Sequence, residues 1–521
     1  MNNKGQPQQH KKLGLMSCIV VVVGGCVGAG IFFKNAQILA FSQHKIILAI
    51  LCWLIGGIGV LCMGLSLIEV VTGCKKPSNL GMGAWCKTYN NNFIYKMCKN
   101  FIAYLYCPII LVALAYYFVQ ALFSAIGPLA NGWAPNWWLG ALIALFILTW
   151  FFFTSGLSIK FYNIQNWVIM CIKFFPIIFA MIIGFLIFGF KHSLPPGTSW
   201  INDLPNSLAP DVSKPKEFSA ISPLLGIVAS IPAIFFTFNG FQYPANLVND
   251  MKKPQYLPMG MIIGIIIVVV ISLAISCSLM FGSETGGFDG ARDWLESKHI
   301  GWLYSVMYLM IGFGILGVIN GTVATSVKQT TELLTNKEIL LANAINKHVV
   351  VKFHNNEILG GVIYQYVFTF VLFLVCTAVG CVYMPMNKIP GANFDNHILG
   401  IFNFVDLVSN WDVLGVYIFI GVGILGALIN RKTNKVKVQK KKYFIPCAIV
   451  SVLLVAISTL YLVVAVFVDL GYALSWFSAH KTNFNDYVLP KLLSVVMLLL
   501  FTGAIIIPAC FKSKKQVNLS R

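Results

Sequence analysis

Twelve apolar runs, each of roughly the length that crosses a hydrocarbon layer, partition this 521-residue chain. They fall near 13–41, 46–72, 94–126, 137–154, 164–190, 222–248, 257–282, 301–327, 358–384, 412–430, 443–469 and 487–511. A membrane helix needs about 20 apolar residues, and charged or Pro/Asn/Gly-rich breaks separate the runs. A soluble chain of this size needs a polar coat. Only 10% of these residues are charged, and 58% are hydrophobic, with a mean hydropathy of +0.79. The fold class expected is an all-α membrane protein of twelve transmembrane helices. The loops are short except 191–221, 283–300, 328–357 and 385–411, so none holds a soluble catalytic domain. Segment 328–357 reads as an amphipathic helix at the inner surface, and 385–411 as holding a short outer helix around Ile398–Val408.

The net charge of +20 raises nucleic acid as a partner. It is rejected, because the basic residues sit in short loops between apolar runs. The same residues set an orientation. With the N-terminus inside, 26 of the 37 lysines and arginines face the cytoplasm and 10 lie outside. The positive-inside rule then places both termini in the cytoplasm, with the strongest signal in Arg431 to Lys442. Lys11-Lys12 followed by Val23-Gly24-Gly25-Cys26 resembles a signal segment, but the apolar stretch continues through Phe33, so a retained first helix is expected. Most of the fourteen cysteines lie inside apolar runs, as small packing residues. No Cys/His cluster with metal spacing, HExxH or Walker motif is present, so no metal, cofactor, covalent chemistry or ATP use is expected.

Two runs break their own pattern. The first contains Gly24-Gly25-Cys26-Val27-Gly28-Ala29-Gly30, a poor continuous helix. The sixth contains Pro232 and Pro244 flanking Asn239-Gly240. Open backbone at membrane depth is tolerated only where it lines a cavity or is buried in protein. Close packing through small residues and a simple proline kink are the plainer explanations. Interruptions in the first and sixth of twelve runs also match two inverted five-helix repeats, helices 1–5 and 6–10, each with a discontinuous first helix. The organisation expected is an N-tail over 1–12, the first repeat over 13–190, an outer loop over 191–221 and the second repeat over 222–430. A basic loop over 431–442, helices 11 and 12 over 443–511 and a C-tail over 512–521 complete it. Freed amides suit an anion and freed carbonyls an ammonium, and together they suit a zwitterion such as an amino acid.

At these residues the chain resembles the amino acid–polyamine–organocation permeases. Gly24 to Phe32 is similar to that family's first-helix motif, and Phe235 to Tyr243 to its sixth-helix aromatics around a glycine. Asn249-Asp250-Met251-Lys252-Lys253-Pro254 and Pro258 resemble the approach to its seventh helix. Glu69 with Pro77-Ser78-Asn79-Leu80-Gly81, and Gly156 to Lys173, resemble further segments. The match is good over about 13–260 and rests beyond that on run count and spacing. The resemblance implies a midplane substrate site between helices one, three, six, eight and ten. The amides of Gly28, Ala29 and Gly30 would hold the substrate carboxylate. The carbonyls of Cys26, Phe236 and Asn239 would hold its amino group. Gly240 would let backbone and ligand approach, and Phe238 or a neighbour would be an aromatic gate. Gln242 stands where some exchangers of the family carry a glutamate.

Lys173 reads as the only basic residue deep in a run. A lysine there costs about 2.5–3.5 kcal/mol, so it is a functional candidate. The resemblance places it where sodium-coupled relatives hold an ion, and its proposed role is coupling to protons. A static ammonium, or one snorkelling to the inner surface, is the alternative. Glu69 reads as a carboxylate that pairs with a loop. Asp406, Asp412 and Asp469 read as solvated outer ends, and Tyr116 and Tyr117 as packing residues. The function expected is secondary transport of amino acids across the cell membrane by alternating access, with protons and membrane lipids as the other partners. The rivals are an amino acid or polyamine exchanger without ion coupling, a nutrient sensor, which would carry longer tails, and an embedded enzyme, which would need clustered acids or metal ligands.

Overall fold

A computed structural model describes residues 14–74, 80–127, 135–200, 215–243, 256–352, 356–383, 394–480 and 484–510. Lys11-Lys12, Pro77 to Asn79, Pro244 and Asn249 to Pro254 lie outside the described residues, as do both tails. The described chain is all helical, and ten of its helices are long and apolar enough to cross a membrane. The first run divides into three pieces, α1 (Leu15–Cys26), α2 (Ala29–Phe33) and α3 (Asn35–Phe41). Then come α4 (Ile46–Thr72), a short α5 (Met82–Tyr89), α6 (Asn92–Ile126), α7 (Trp137–Thr154) and α8 (Ile159–Lys191). The sixth run supplies α9 (Pro223–Phe238), which stops at the Asn-Gly pair. The rest is α10 (Tyr256–Gly282), a short α11 (Asp289–Ser297), α12 (Trp302–Thr335), α13 (342–350), α14 (Glu357–Val382), α15 (Asn396–Thr433), α16 (Phe444–His480) and α17 (Phe484–Cys510).

The interruptions have local causes. Pro108 supplies no amide to the turn before it, and α6 widens into a π-turn over Ile102–Tyr106. Between α1 and α2, Val27 and Gly28 are extended, with ψ of 96° and −147°. At the end of α9 Gly240 takes a φ of +117°, a left-handed value that glycine alone adopts without strain.

The broken helices lie at the centre. α9 packs on α2, α3, α4 and α15, while α12 packs on α6 and α8. Outside them α7 shows Trp138, Leu142, Phe146 and Trp150 outward, the surface that lipid chains solvate. Two expectations about elements are corrected. The short outer helix around Ile398–Val408 is not separate; it is the first part of the 38-residue α15. No proline interrupts that stretch, and its polar side chains are satisfied or buried within the bundle, so nothing ends the helix. The amphipathic segment 328–357 is divided, with α12 running to Thr335 and α13 covering 342–350.

Candidate functional site

The two interruptions touch one another. The Cys26 thiol donates to the Phe238 carbonyl at 3.3 Å. A Cβ on Gly240 would lie 2.8 Å from the Gly25 carbonyl, and one on Gly30 would lie 2.7 Å from Thr237 Cα. One on Gly28 would meet Val318 of α12 at 2.8 Å. Glycine is therefore required here for backbones to approach. The Asn239–Tyr243 turn is held by its own side chains. Gln242 Oε1 accepts from the Gly240 amide at 3.1 Å, and Gln242 Nε2 donates to Asn239 Oδ1 at 3.3 Å. The π-turn of α6 brings the Tyr106 hydroxyl within reach of the Asn239 side chain, whose Nδ2 donates to it at 3.4 Å.

The expected site residues thus come together, but their groups differ in availability. The amides at the start of α2 follow the extended Gly28 and have no carbonyl one turn back. The Phe236 carbonyl already accepts the Asn239 amide at 3.3 Å, and the Phe238 carbonyl holds the Cys26 thiol. Phe238 itself is fully buried with its ring edge-on to Trp53 at 6.3 Å. It packs on α4, and the ring turned toward the cavity region is Phe236.

A cavity of about 1150 Å³ lies above the interruptions and opens on the face away from the 434–443 loop. Its walls include Phe33, Gln37, Tyr117, Asp406, Asn410 and Trp411, and its mouth carries Glu217, Asp289, Arg292, Asp469 and Lys491. Neither Cys26 to Gly30 nor Phe236 to Gly240 lines it. Between cavity and interruptions sits a charged layer. Lys34 is fully buried, with Nζ 2.5 Å from Asp406 Oδ1 and 4.5 Å from the Phe236 ring centre. The Tyr117 hydroxyl donates to the same carboxylate oxygen, and its ring stacks on Phe33 at 5.4 Å.

Lys34 corrects the reading of Lys173 as the only buried cation. The signal was present: a lysine within an apolar run, six residues after Gly28. It lies inside the run drawn as 13–41, seven residues before its end. Lys173 is also buried, and its Nζ donates to the Gly24 carbonyl at 3.0 Å. In a continuous helix that carbonyl would accept from Gly28. The extended Gly28 frees it, and Lys173 caps it.

Of the three aspartates expected to be solvated, Asp406 and Asp469 are half-buried in the cavity lining and paired, and Asp412 is shut off altogether. Asp406 pairs with Lys34, and Asp469 accepts from the Phe218 amide at 2.7 Å and lies 3.3 Å from Lys491. Asp412 is wholly buried, and neither carboxyl oxygen has a hydrogen-bond partner among the described residues. Asp406 and Asp412 looked like an outer end because their run was started at 412, and Asp469 because its run was ended at 469; α15 begins at Asn396 and α16 continues to His480. Tyr117 lines the cavity, whereas Tyr116 packs, stacked on Phe373 at 5.8 Å with its hydroxyl 2.6 Å from Thr377. Glu69 pairs with a loop end as expected. Arg431 grips both its oxygens, at 2.7 and 2.6 Å, and the Lys441 amide adds a third bond at 2.7 Å. This joins α4 to the end of α15 on the face opposite the cavity mouth.

Comparison with known proteins adds the following. A family described as amino acid permease matches residues 13–508. A Mycoplasma pneumoniae protein is 29% identical over 532 residues, spanning 95% of this chain and 93% of that one. The serine/threonine exchanger SteT of Bacillus subtilis is 24% identical over 47% of this chain and 49% of its own length. The glutamate/serine transporter AimA of Bacillus subtilis is 27% identical over 49% of this chain and 44% of its own. A solved manganese transporter of Eremococcus coleocola is 12% identical, covers 98% of this chain and 97% of its own, and has a TM-score of 0.47. With a match that runs from the first helix to the last, this multi-pass membrane protein belongs to the amino acid permease family.

Proposed function

We propose that the chain is a secondary transporter of amino acids, working by alternating access and coupled to protons. The observation that carries this reading is the contact between the two interrupted helices. Free amides at Gly28, Ala29 and Gly30 face the substrate carboxylate, and the carbonyls of Cys26 and Asn239 face its ammonium. Gly240 keeps the two backbones close, and Phe236, rather than Phe238, is the ring that the substrate passes. The cavity supplies an approach from one face, while the Glu69–Arg431 pair closes the other. Such a state, open on one side, is half of an alternating-access cycle. The cavity mouth faces outside, and both termini and the 434–443 loop face the cytoplasm.

Lys173 is the coupling group in this reading. Charged, its ammonium ties α8 to the Gly24 carbonyl at the end of α1; neutral, it weakens that tie and lets α1 move. Serine is the first probe, because both SteT and AimA carry it in their names. Purified protein in proteoliposomes should take up radiolabelled serine faster with an inward proton gradient. Lys173→Ala and Lys173→Arg should both lose that acceleration, since arginine does not deprotonate. Full acceleration in the arginine variant would leave Lys173 as a static cap. A second reading, exchange without ion coupling, is favoured by the specific fit of Lys173 to the freed carbonyl. It predicts serine uptake only into vesicles preloaded with amino acid, at any pH gradient.

A further inference from the structure

Among the acids of the described residues, Asp412 stands apart. It sits in the middle of α15, is fully shielded from solvent, and has no partner on either oxygen among the described residues. No lysine, arginine or histidine forms an ion pair with it among those residues. The titratable groups that face it are the thiol of Cys107 from α6 and the thiol of Cys376 from α14. α4, α5, α7, α9 and α16 also pack on α15, and none of them gives the Asp412 carboxyl a hydrogen-bonding or ion-pairing partner among the described residues. An ionised carboxylate cannot be held in such a place without a compensating charge. Hard metal cations need several oxygen ligands, and thiols do not supply them. A proton remains as the compensating ion.

A chain of polar groups leads from the cavity to within one helical turn of this carboxyl, with no hydrogen bond across the last step. Asp406 is in the cavity wall, with its side chain 27% exposed. The Tyr117 hydroxyl bonds to Asp406 Oδ1 and lies 3.3 Å from the Ser409 hydroxyl. Ser409 lies one helical turn before Asp412, on the same face of α15. Beyond Asp412 the Cys107 thiol donates to Gln329 Oε1 of α12 at 3.5 Å.

We propose that Asp412 is a proton-binding site inside the bundle, loaded from the cavity by way of Asp406, Tyr117 and Ser409. Asp412 is neutral in the conformation described here. It ionises only in a conformation that brings it a donor or water. Proton binding therefore favours the cavity-open state, and raising the pH disfavours it. The transport consequence rests on the reading above as a proton-coupled permease; the proton site itself does not.

The test uses the full chain in lipid and two measurements. Infrared spectroscopy near neutral pH should show the C=O stretch of a buried protonated carboxyl. Growth on 13C-carboxyl aspartate should shift that band in the unmutated protein, and Asp412→Asn should remove it. In proteoliposomes Asp412→Asn, neutral and of the same shape, should still bind radiolabelled serine but lose the response of uptake to a proton gradient. A band that does not shift with labelled aspartate, or that survives in Asp412→Asn, overturns the site. So does a variant whose uptake keeps the full response to the gradient. Should the unmutated protein take up no serine, the transport reading falls, and the infrared measurement alone decides for or against Asp412.

Discussion

Lys34 has no contact with water, and Asp406 is its one anionic partner among the described residues. Breaking a buried pair by removing one member costs about 3–5 kcal/mol, because the other charge is left uncompensated. Asp406→Ala should therefore lower the unfolding temperature of the detergent-solubilised protein sharply. Lys34→Met combined with Asp406→Asn should recover most of the loss. Equal losses in the single and double variants would show that the charges are not a pair. The glycines make a second test. Gly240→Ala combines a φ of +117° with a Cβ 2.8 Å from the Gly25 carbonyl, and strain of this kind costs about 1–3 kcal/mol. Gly24 lies in the same cluster yet has nothing within 4 Å of its Cβ position. Gly24→Ala should be neutral, or stabilising by up to about 1 kcal/mol from helix propensity. Thermal unfolding of both variants separates a required close approach from a permissive one. It also means that a bulky residue at Gly30 or Gly240 disrupts helix packing whether or not substrate sits there.

At the scale of elements, α15 links the two faces. Its 38 residues span about 57 Å at 1.5 Å per residue, well beyond a hydrocarbon core of about 30 Å. It carries Asp406 at the cavity, Asp412 in the interior and Arg431 at the closed end. Arg431 holds α4 through Glu69, which is 1% exposed. Arg431→Gln removes the charge from that grip and frees the end of α15 from the 434–443 segment. Trypsin should then cut the lysines of that segment faster in the detergent-solubilised protein. An unchanged cleavage rate would mean that other contacts, such as the Gln439 amide on the Thr72 hydroxyl at 3.0 Å, hold the closure alone.

For the whole molecule the proposed orientation rests on the placement of lysine and arginine, and labelling in intact cells tests it. On a background without reactive native cysteines, Lys437→Cys should resist an impermeant thiol reagent. Ser124→Cys, in the cavity wall, should react. The reverse pattern would invert the topology and put the cavity on the inner face. Much of this architecture is legible without coordinates. Apolar length and lysine placement are one-dimensional quantities, so most of the spans follow from the chain alone, while ends such as the start of α15 at Asn396 do not. The interruptions are equally local, since glycine clusters and an Asn-Gly pair weaken a helix wherever it packs. Side-chain partnership is different, because it joins residues far apart in the sequence. Lys34 and Asp406 are 372 positions apart, and Glu69 and Arg431 are 362. Nothing in either segment tells a solvated charge from a buried one. Only the folded bundle decided that Lys34 has a partner, that Asp412 has none, and that Phe238 turns toward Trp53 while Phe236 turns toward the cavity. Burial and pairing are properties of neighbours that packing supplies, and a single run of residues does not contain them.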